Sequence, residues 1–255
     1  MKNKSHTLRS IADTLHVSTA TISNAFNRPD QLSKAKREEI LAACQQLGYF
    51  GPNKAAQSLR RGRSGIIALV LADSIDYMVS DPVASSFIRG VSEILKTHKS
   101  HLLLFSGNSQ SINSVIDFVD GFICYGMPRN PALLNELTVC QKKVITVDFA
   151  LPERASIAVD NQQAAFEIAQ RAIAPGDRVA IVGLRITHGD ITSKVMDTPL
   201  VEVETSVAHQ RYQGYLHALR NAGVELDESL IWNVPESSQA FAKIAALEIL
   251  QEPQL

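Results

Sequence analysis

The sequence predicts a small all-α head joined by a basic linker to an α/β body built on two parallel-sheet subdomains. Three observations carry this expectation. Apolar residues in the first 50 positions recur only at helical spacing, in short segments that open on Thr or Ser. From Gly65 onward, continuous apolar runs of strand length alternate with amphipathic segments of helical length. The charge changes sign at the same place. Residues 1–64 hold 11 Lys/Arg against 4 Asp/Glu, net +7, and residues 65–255 hold 14 against 22, net −8. A basic head on an acidic body points to a polyanion-binding module fused to a part that has no need to touch the polyanion.

Each element follows from local chemistry. Thr7 caps a first helix with Leu8, Ile11, Ala12 and Leu15 on one face, and His16-Val17-Ser18 interrupts it. Ser18 caps a second helix to about Phe26, with Ile22 and Phe26 inward; Asn27-Arg28-Pro29-Asp30 is a turn. Ser33 caps a third, striped by Ile40, Leu41, Cys44 and Leu47, with Gly48 just past its end. Residues 51–64, GPNKAAQSLRRGRS, hold too few apolar side chains for a core of their own. Strands are expected near 66–71, 101–105, 121–125, 143–148 and 156–159, with helices near 83–97 and 131–139. After Asp160, a helix cap, come a helix 161–173, a strand 178–183, a helix 208–221, a strand 230–234 and a helix 238–251. Residues 184–207 read as an exposed irregular stretch. The expected domains are 1–50, a linker 51–64, and subdomains 65–160 and 161–255.

The head meets the requirements of a helix-turn-helix. A small residue, Ala12, lets the first helix cross the second. Val17 fixes the crossing after the turn. The second helix opens with short polar side chains and then carries an apolar anchor, Ile22. At this point the stretch resembles the lactose-repressor (LacI/GalR-type) family of bacterial transcriptional regulators. The matches are Thr7, Leu8, Ile11, Ala12, Val17, Ser18, Thr21, Ile22, Ser23 and Asn27, continuing through Ser33, ILAACQQLGY and PNKAAQSLR.

The resemblance implies base contacts from Thr19, Ala20 and Asn24. Ala20 offers only a methyl group, and Asn24 suits a bidentate contact to adenine. Many members carry Arg at the position of Asn24, so the preferred DNA sequence is expected to differ there. Thr7 and Leu8, at the start of the first helix, are grouped with the DNA contacts. Ser18, Thr21, Ser23, Asn27 and Ser33 are expected on phosphates, with Ser18 equally readable as a helix cap. The linker resembles the family's hinge helix. Asn53, Ala56 and Leu59 align with minor-groove residues, Leu59 as a wedge between base pairs or as packing on the body, and Arg60 is expected on phosphate. Phe50-Gly51 place one residue more than the usual spacing between Tyr49 and Pro52.

For the body, the resemblance implies a periplasmic-binding-protein-like fold with a ligand cleft at the carboxyl ends of its strands. The candidate effector residues are Asp73, Ser74, Tyr77 and Asp81 after the first strand, Asp148 and Phe149 after the fourth, and Arg211 in RYQGY. An Arg fork and an Asp acceptor suit a hydroxyl-rich or anionic molecule, sugar-like or nucleoside-like. Five of the seven have a bland alternative: Asp73 and Asp81 as solvated loop residues, Tyr77 as packing, Asp148 as a turn cap, Arg211 as a surface residue. Family members usually continue well past the position of Leu255, so the C-terminal subdomain and its cleft are expected to be incomplete. The implied partners are double-stranded DNA at a pseudo-palindromic operator, a small-molecule effector and a second copy of the chain.

Other classes find little support. No GxxxxGK[ST], GxGxxG or GxSxG motif is present, so no catalytic residue or cofactor is called for. His188, His209 and His217 lack metal-ligand spacing, and Cys44, Cys124 and Cys140 lack CxxC spacing and fit a reducing compartment. No apolar run has membrane length, and Met1-Lys2-Asn3-Lys4 leads into a polar helix. The reading is therefore a cytoplasmic regulator with no membrane partner, and neither an enzyme nor a solute receptor for transport.

Overall fold

The computed structural model describes residues 7–51, 63–187, 189–197 and 206–252. The chain forms two compact units, residues 1–64 and 65–255.

In the first unit, α1 (Leu8–Thr14), α2 (Thr19–Asn27) and α3 (Lys34–Gln46) surround a small core. Each begins at a hydroxyl cap. Thr7 Oγ1 accepts from Ser10 N, and Ser10 Oγ accepts in turn from Thr7 N. Ser18 Oγ accepts from Thr21 N at 3.0 Å and Ser33 Oγ from Lys36 N at 3.3 Å. The core is Ile11, Ala12, Ile22, Ala25, Ile40, Cys44 and Tyr49, with Leu8, Leu15, Val17 and Phe26 packed against it. The turn between α1 and α2 places His16 in the left-handed region and returns Val17 N to Ala12 O at 3.0 Å. After α3, Gly48 N donates to Gln45 O and Tyr49 N to Cys44 O, the paired bonds of a Schellman stop. Gly48 has a φ of +68°, which only glycine adopts without cost.

In the second unit, a five-stranded parallel sheet has the order β2-β1-β3-β4-β5. Its strands are β1 (Ile66–Leu71), β2 (His101–Phe105), β3 (Gly121–Tyr125), β4 (Lys143–Val147) and β5 (Ala155–Ile157). Alternate residues of β1 serve two cores, as a strand covered on both faces requires. Leu69 and Leu71 pack with Met78 of α4 (Ile75–Ser80) and with Ala84, Phe87 and Ile88 of α5 (Pro82–Thr97). Ala68 and Val70 join Phe122, Cys124 and Val144 under Leu133 and Leu137 of α6 (Pro131–Val139).

Residues 158–160 lead to α7 (Asn161–Ala172), and Asp160 caps it by accepting from Gln163 N at 2.9 Å. The second sheet has the order β6-β8-β7, from β6 (Ile181–Leu184), β7 (Ser193–Lys194) and β8 (Ile231–Val234). β6 runs parallel to β8, and β7 runs antiparallel to it. Trp232 on β8 is fully buried and donates to Glu248 Oε2 in α9 (Gln239–Leu250) at 2.8 Å. α7 lies close against α8 (Val207–Ala222) at Gly214. A Cβ there would sit 2.4 Å from Gln162 O and 2.8 Å from Ala165 Cβ.

Three local expectations need correction. The strand expected at 178–183 is displaced to Ile181–Leu184, because its ladder to β8 begins at the pair Ile181–Ile231. Arg178 instead faces Asp227 across 3.3 Å. The stretch 184–207, expected to be irregular, contributes β7, whose two residues pair with Trp232 and Asn233. The second sheet is therefore mixed and not purely parallel. The loop expected after β1 contains α4, a six-residue helix too short to show a 3.6-residue period.

Candidate nucleic-acid interface and ligand cleft

The N-terminal end of α2 is presented to solvent. Thr19 and Ala20 are exposed, and Asn24 lies one turn further along, half-buried. This follows from the sequence: Ile22 and Ala25 are fully buried, so the helix rotates residues 19, 20 and 24 away from the core. Among the expected phosphate contacts, several hydroxyls already have intramolecular partners. Ser18 Oγ caps α2 and lies 2.8 Å from Thr21 Oγ1. Asn27 Nδ2 donates to Ser23 O at 3.0 Å, and Ser33 caps α3. Leu8 packs on the core, and Thr7 is committed to its cap. Arg37 of α3 donates Nε to Ala25 O at 2.9 Å and so ties the third helix to the C-terminal part of α2. Gly51 has a φ of +113°, and a Cβ there would meet the Phe26 ring at 3.0 Å. The Phe26 ring in turn meets Tyr49 edge-on at 5.8 Å. The extra residue before Pro52 thus lies against α2. Asn53, Ala56, Leu59 and Arg60 lie outside the described residues.

In the body, a cleft of about 630 Å³ opens between the two sheets. One wall comes from the carboxyl ends of β1, β3 and β4, through Ala72, Gly126–Arg129, Asp148 and Phe149. The other comes from β6 and the residues after it, together with the first two turns of α8. Three of the expected effector residues line it: Asp148, Phe149 and Arg211. Phe149 is buried, and Asp148 has a left-handed φ of +63°, which Asp tolerates better than most residues. Arg211 is exposed, and its Nε donates to the buried Asn161 Oδ1 at 2.9 Å. That bond leaves the terminal nitrogens of the fork available to the cleft. Nearby Tyr125, stacked on Phe87 at 4.3 Å, has its pKa raised by burial and by the charges of Asp148 and Asp81, against the pull of Arg211.

The other four are placed differently. Asp81 caps α5, accepting from Val83 N and Ala84 N at 2.9 and 2.8 Å. Ser74 opens α4. Tyr77 Oη accepts from Ser237 N at 3.0 Å. Asp73 is buried, and both of its oxygens are occupied. Oδ1 accepts from Ser74 N and Asn108 Nδ2 at 2.7 and 3.0 Å; Oδ2 accepts from Arg185 Nη2 and Arg129 Nε at 2.6 and 3.2 Å. Burial raises its pKa, but the hydrogen bonds and the two guanidinium charges outweigh that and hold it below the usual carboxylate range.

A family described as "Bacterial regulatory proteins, lacI family" matches residues 7–53. A transcriptional regulator of the helix-turn-helix type from Mycolicibacterium smegmatis is 33% identical over 257 residues, covering 94% of this chain and 70% of that protein. The chain belongs to the lacI family. It is a DNA-binding transcriptional regulator with a helix-turn-helix head and an α/β body. Two solved structures share the fold. A LacI-family transcriptional regulator from Corynebacterium glutamicum aligns with a TM-score of 0.60 and 23% identity, over 97% of this chain and 72% of that one. The lac repressor dimer, bound to operator and the anti-inducer ONPF, aligns with a TM-score of 0.62 and 17% identity, over 98% and 71%.

Sequence reasoning did not single out Arg129, Arg185, Asn108 or Asn161 in this lacI-family chain. A signal was present for the two arginines, since each follows a parallel strand at its carboxyl end, where ligands of α/β sheets gather. Asn161 follows the helix cap Asp160, and nothing in its surroundings announces that it orients Arg211. Among the described residues, no helix is long and apolar enough to cross a membrane.

Proposed function

We propose that this lacI-family chain represses transcription as a homodimer on a pseudo-palindromic operator, under the control of a small hydroxyl-rich molecule held in the body's cleft. The observation that carries the reading is the presence of Asp148 and Arg211 on opposite walls of that cleft, which the buried Phe149 also lines. A carboxylate accepts from hydroxyls, a guanidinium fork donates to them, and an aromatic ring covers the apolar face of a sugar or base. In the head, Thr19, Ala20 and Asn24 read base edges, while Ser18, Thr21, Ser23, Asn27 and Ser33 set register on phosphates, and Thr7 and Leu8 are grouped with the DNA contacts at the start of α1. Asn53, Ala56 and Leu59 complete the reader in the minor groove, with Arg60 on phosphate.

The net charge of +7 on residues 1–64 supports the electrostatic part of this assignment. The lac repressor, a structural neighbour, has been solved as a dimer on its operator with a small molecule bound. Control requires that the ligand bind the two conformations of the body with different affinity. The proposed domain limits are 1–50, 51–64, 65–160 and 161–255. The chain works in the cytoplasm, as a regulator without catalytic activity.

The test is operator binding in the presence of a panel of neutral sugars, sugar phosphates and nucleosides, read by fluorescence anisotropy. At least one class should change the operator Kd several-fold, and Arg211→Gln should abolish that change without altering the Kd in the absence of ligand. A response that persists unchanged in Arg211→Gln would remove the cleft from the account.

A further inference from the structure

Apart from Asp148 and Arg211, which line the cleft, a polar cluster joins its two walls, and it serves a different purpose. Asp73 follows β1 in the first subdomain, and Arg185 follows β6 in the second, 112 residues later. Their contact at 2.6 Å is an ion pair with little solvent around it: the Asp73 side chain is 7% exposed and that of Arg185 26%. Arg185 is fixed from three further directions. Its Nε donates to Pro235 O at 2.7 Å, its backbone N donates to Val234 O at 2.9 Å, and its guanidinium lies 5.1 Å over the Tyr77 ring. Tyr77 reaches back through its Oη, which accepts from Ser237 N. Two residues of the second subdomain, Arg185 and Ser237, thus grip two residues of the first, Asp73 and Tyr77.

The charges facing this cluster are few. Arg129 shares Asp73 Oδ2 and lies 4.0 Å from the exposed Asp190, so it neutralises Asp73 from the first wall while Arg185 approaches from the second. With all four contacts to Asp73 made by protein groups, that carboxylate has no direction left for a ligand. Neither Asp73 nor Tyr77 lines the cleft. Arg185 itself is held with a left-handed φ of +56°, an unfavourable conformation for a long side chain, and the contacts to Pro235, Asp73 and Tyr77 over-determine it.

We propose that Arg185 is the positioning residue of the cleft: by pairing with Asp73 and covering Tyr77 it sets how far the two subdomains close, and thereby the affinity for the effector. Closure held in advance by the latch leaves less for the ligand to do. Loosening the latch lowers ligand affinity by the fraction of molecules that are no longer closed. The regulatory meaning rests on the cleft being the effector site, but the latch is measurable without any effector.

The experiment places spin labels on Glu93→Cys in α5 and Arg220→Cys in α8, both exposed positions, and reads the distance between them by pulsed electron resonance. Cys44, Cys124 and Cys140 are buried and stay unlabelled. The parent should give one narrow distance. Arg185→Gln and Asp73→Asn should each broaden and lengthen it, with the closed-to-open ratio falling about ten-fold or more; Tyr77→Phe should have a smaller effect of the same sign. Arg185→Lys, which keeps the charge but loses the bond to Pro235, should recover part of the closed population. Trp232 fluorescence should report an intact body in all four. An unchanged distance distribution in both Arg185→Gln and Asp73→Asn overturns the latch. Opening in these variants, with no small molecule acting on the parent, keeps the latch and discards the effector reading.

Discussion

Ile22 is the anchor on which the reading face of α2 depends, and its truncation should unfold the head while leaving the body intact. The side chain is fully buried in a small core with seven buried members among the described residues. Ile22→Ala removes most of it, and such changes cost about 2–5 kcal/mol when the cavity cannot collapse. A unit the size of the described head has, at typical densities, a total stability of roughly 2–7 kcal/mol. The substitution therefore consumes most or all of what keeps the head folded. Ile22→Val, at about 0.5–1.5 kcal/mol, should leave it largely folded. The chain supplies its own two-probe assay. Its single tryptophan, Trp232, is buried in the body and serves as the probe of that unit. Helicity by circular dichroism reports both units, with α1, α2 and α3 contributing 7, 9 and 13 residues. In Ile22→Ala, helicity should start lower and DNA binding should vanish, while the fluorescence midpoint stays where it was. A fluorescence midpoint that moves with the loss of helicity would refute the reasoning, because it would mean that the two cores do not stand independently.

Other expectations follow from single contacts. Gly214→Ala drives a methyl group into Gln162 O and Ala165, and should lower the stability of the body by about 1–3 kcal/mol, seen as an earlier Trp232 transition with DNA binding at room temperature unchanged. Ser18→Ala should cost the head about 0.5–2 kcal/mol as a lost cap; if Ser18 also contacts phosphate, affinity for DNA should fall in a variant shown by circular dichroism to be folded. Asp73, with its pKa held below the usual value, contributes stability that is fully present above that usual value and is lost as pH falls through the lowered one. Acid titration of the body should therefore show a transition that is weakened in Asp73→Asn. The thiol of Cys124, pushed up to about 12 by burial and by Cys140, should resist alkylation at mildly alkaline pH in the folded chain and react on unfolding.

How much of the fold and of the site is legible in the sequence depends on the range of the forces involved. Caps act over three residues, so Thr7, Ser18, Ser33 and Asp160 mark the starts of their helices through local chemistry alone. β1 is legible because a strand covered on both faces must be apolar throughout, as Ile66–Leu71 is. β7 is not, since its two residues are strand only because β8 lies beside them. Asp73 shows the same limit at the level of function. An acidic residue after a parallel strand has one appearance in the sequence, whether it accepts from a ligand or from an arginine that is distant along the chain. Only the fold brings Arg185 to it, and that placement, with Arg129, Asn108 and Ser74, gives both of its oxygens protein partners. Asp148 and Arg211, by contrast, line the cleft.

The central claim is that residues 19, 20 and 24 of this lacI-family chain read DNA sequence. Its most direct test is sequencing of random DNA fragments selected by the protein, repeated with Asn24→Arg. The expected result is enrichment of an inverted repeat, with an adenine in each half-site that gives way to guanine in the Asn24→Arg selection and the flanking bases retained. Enrichment of one sequence by both proteins, or of none by either, would contradict it.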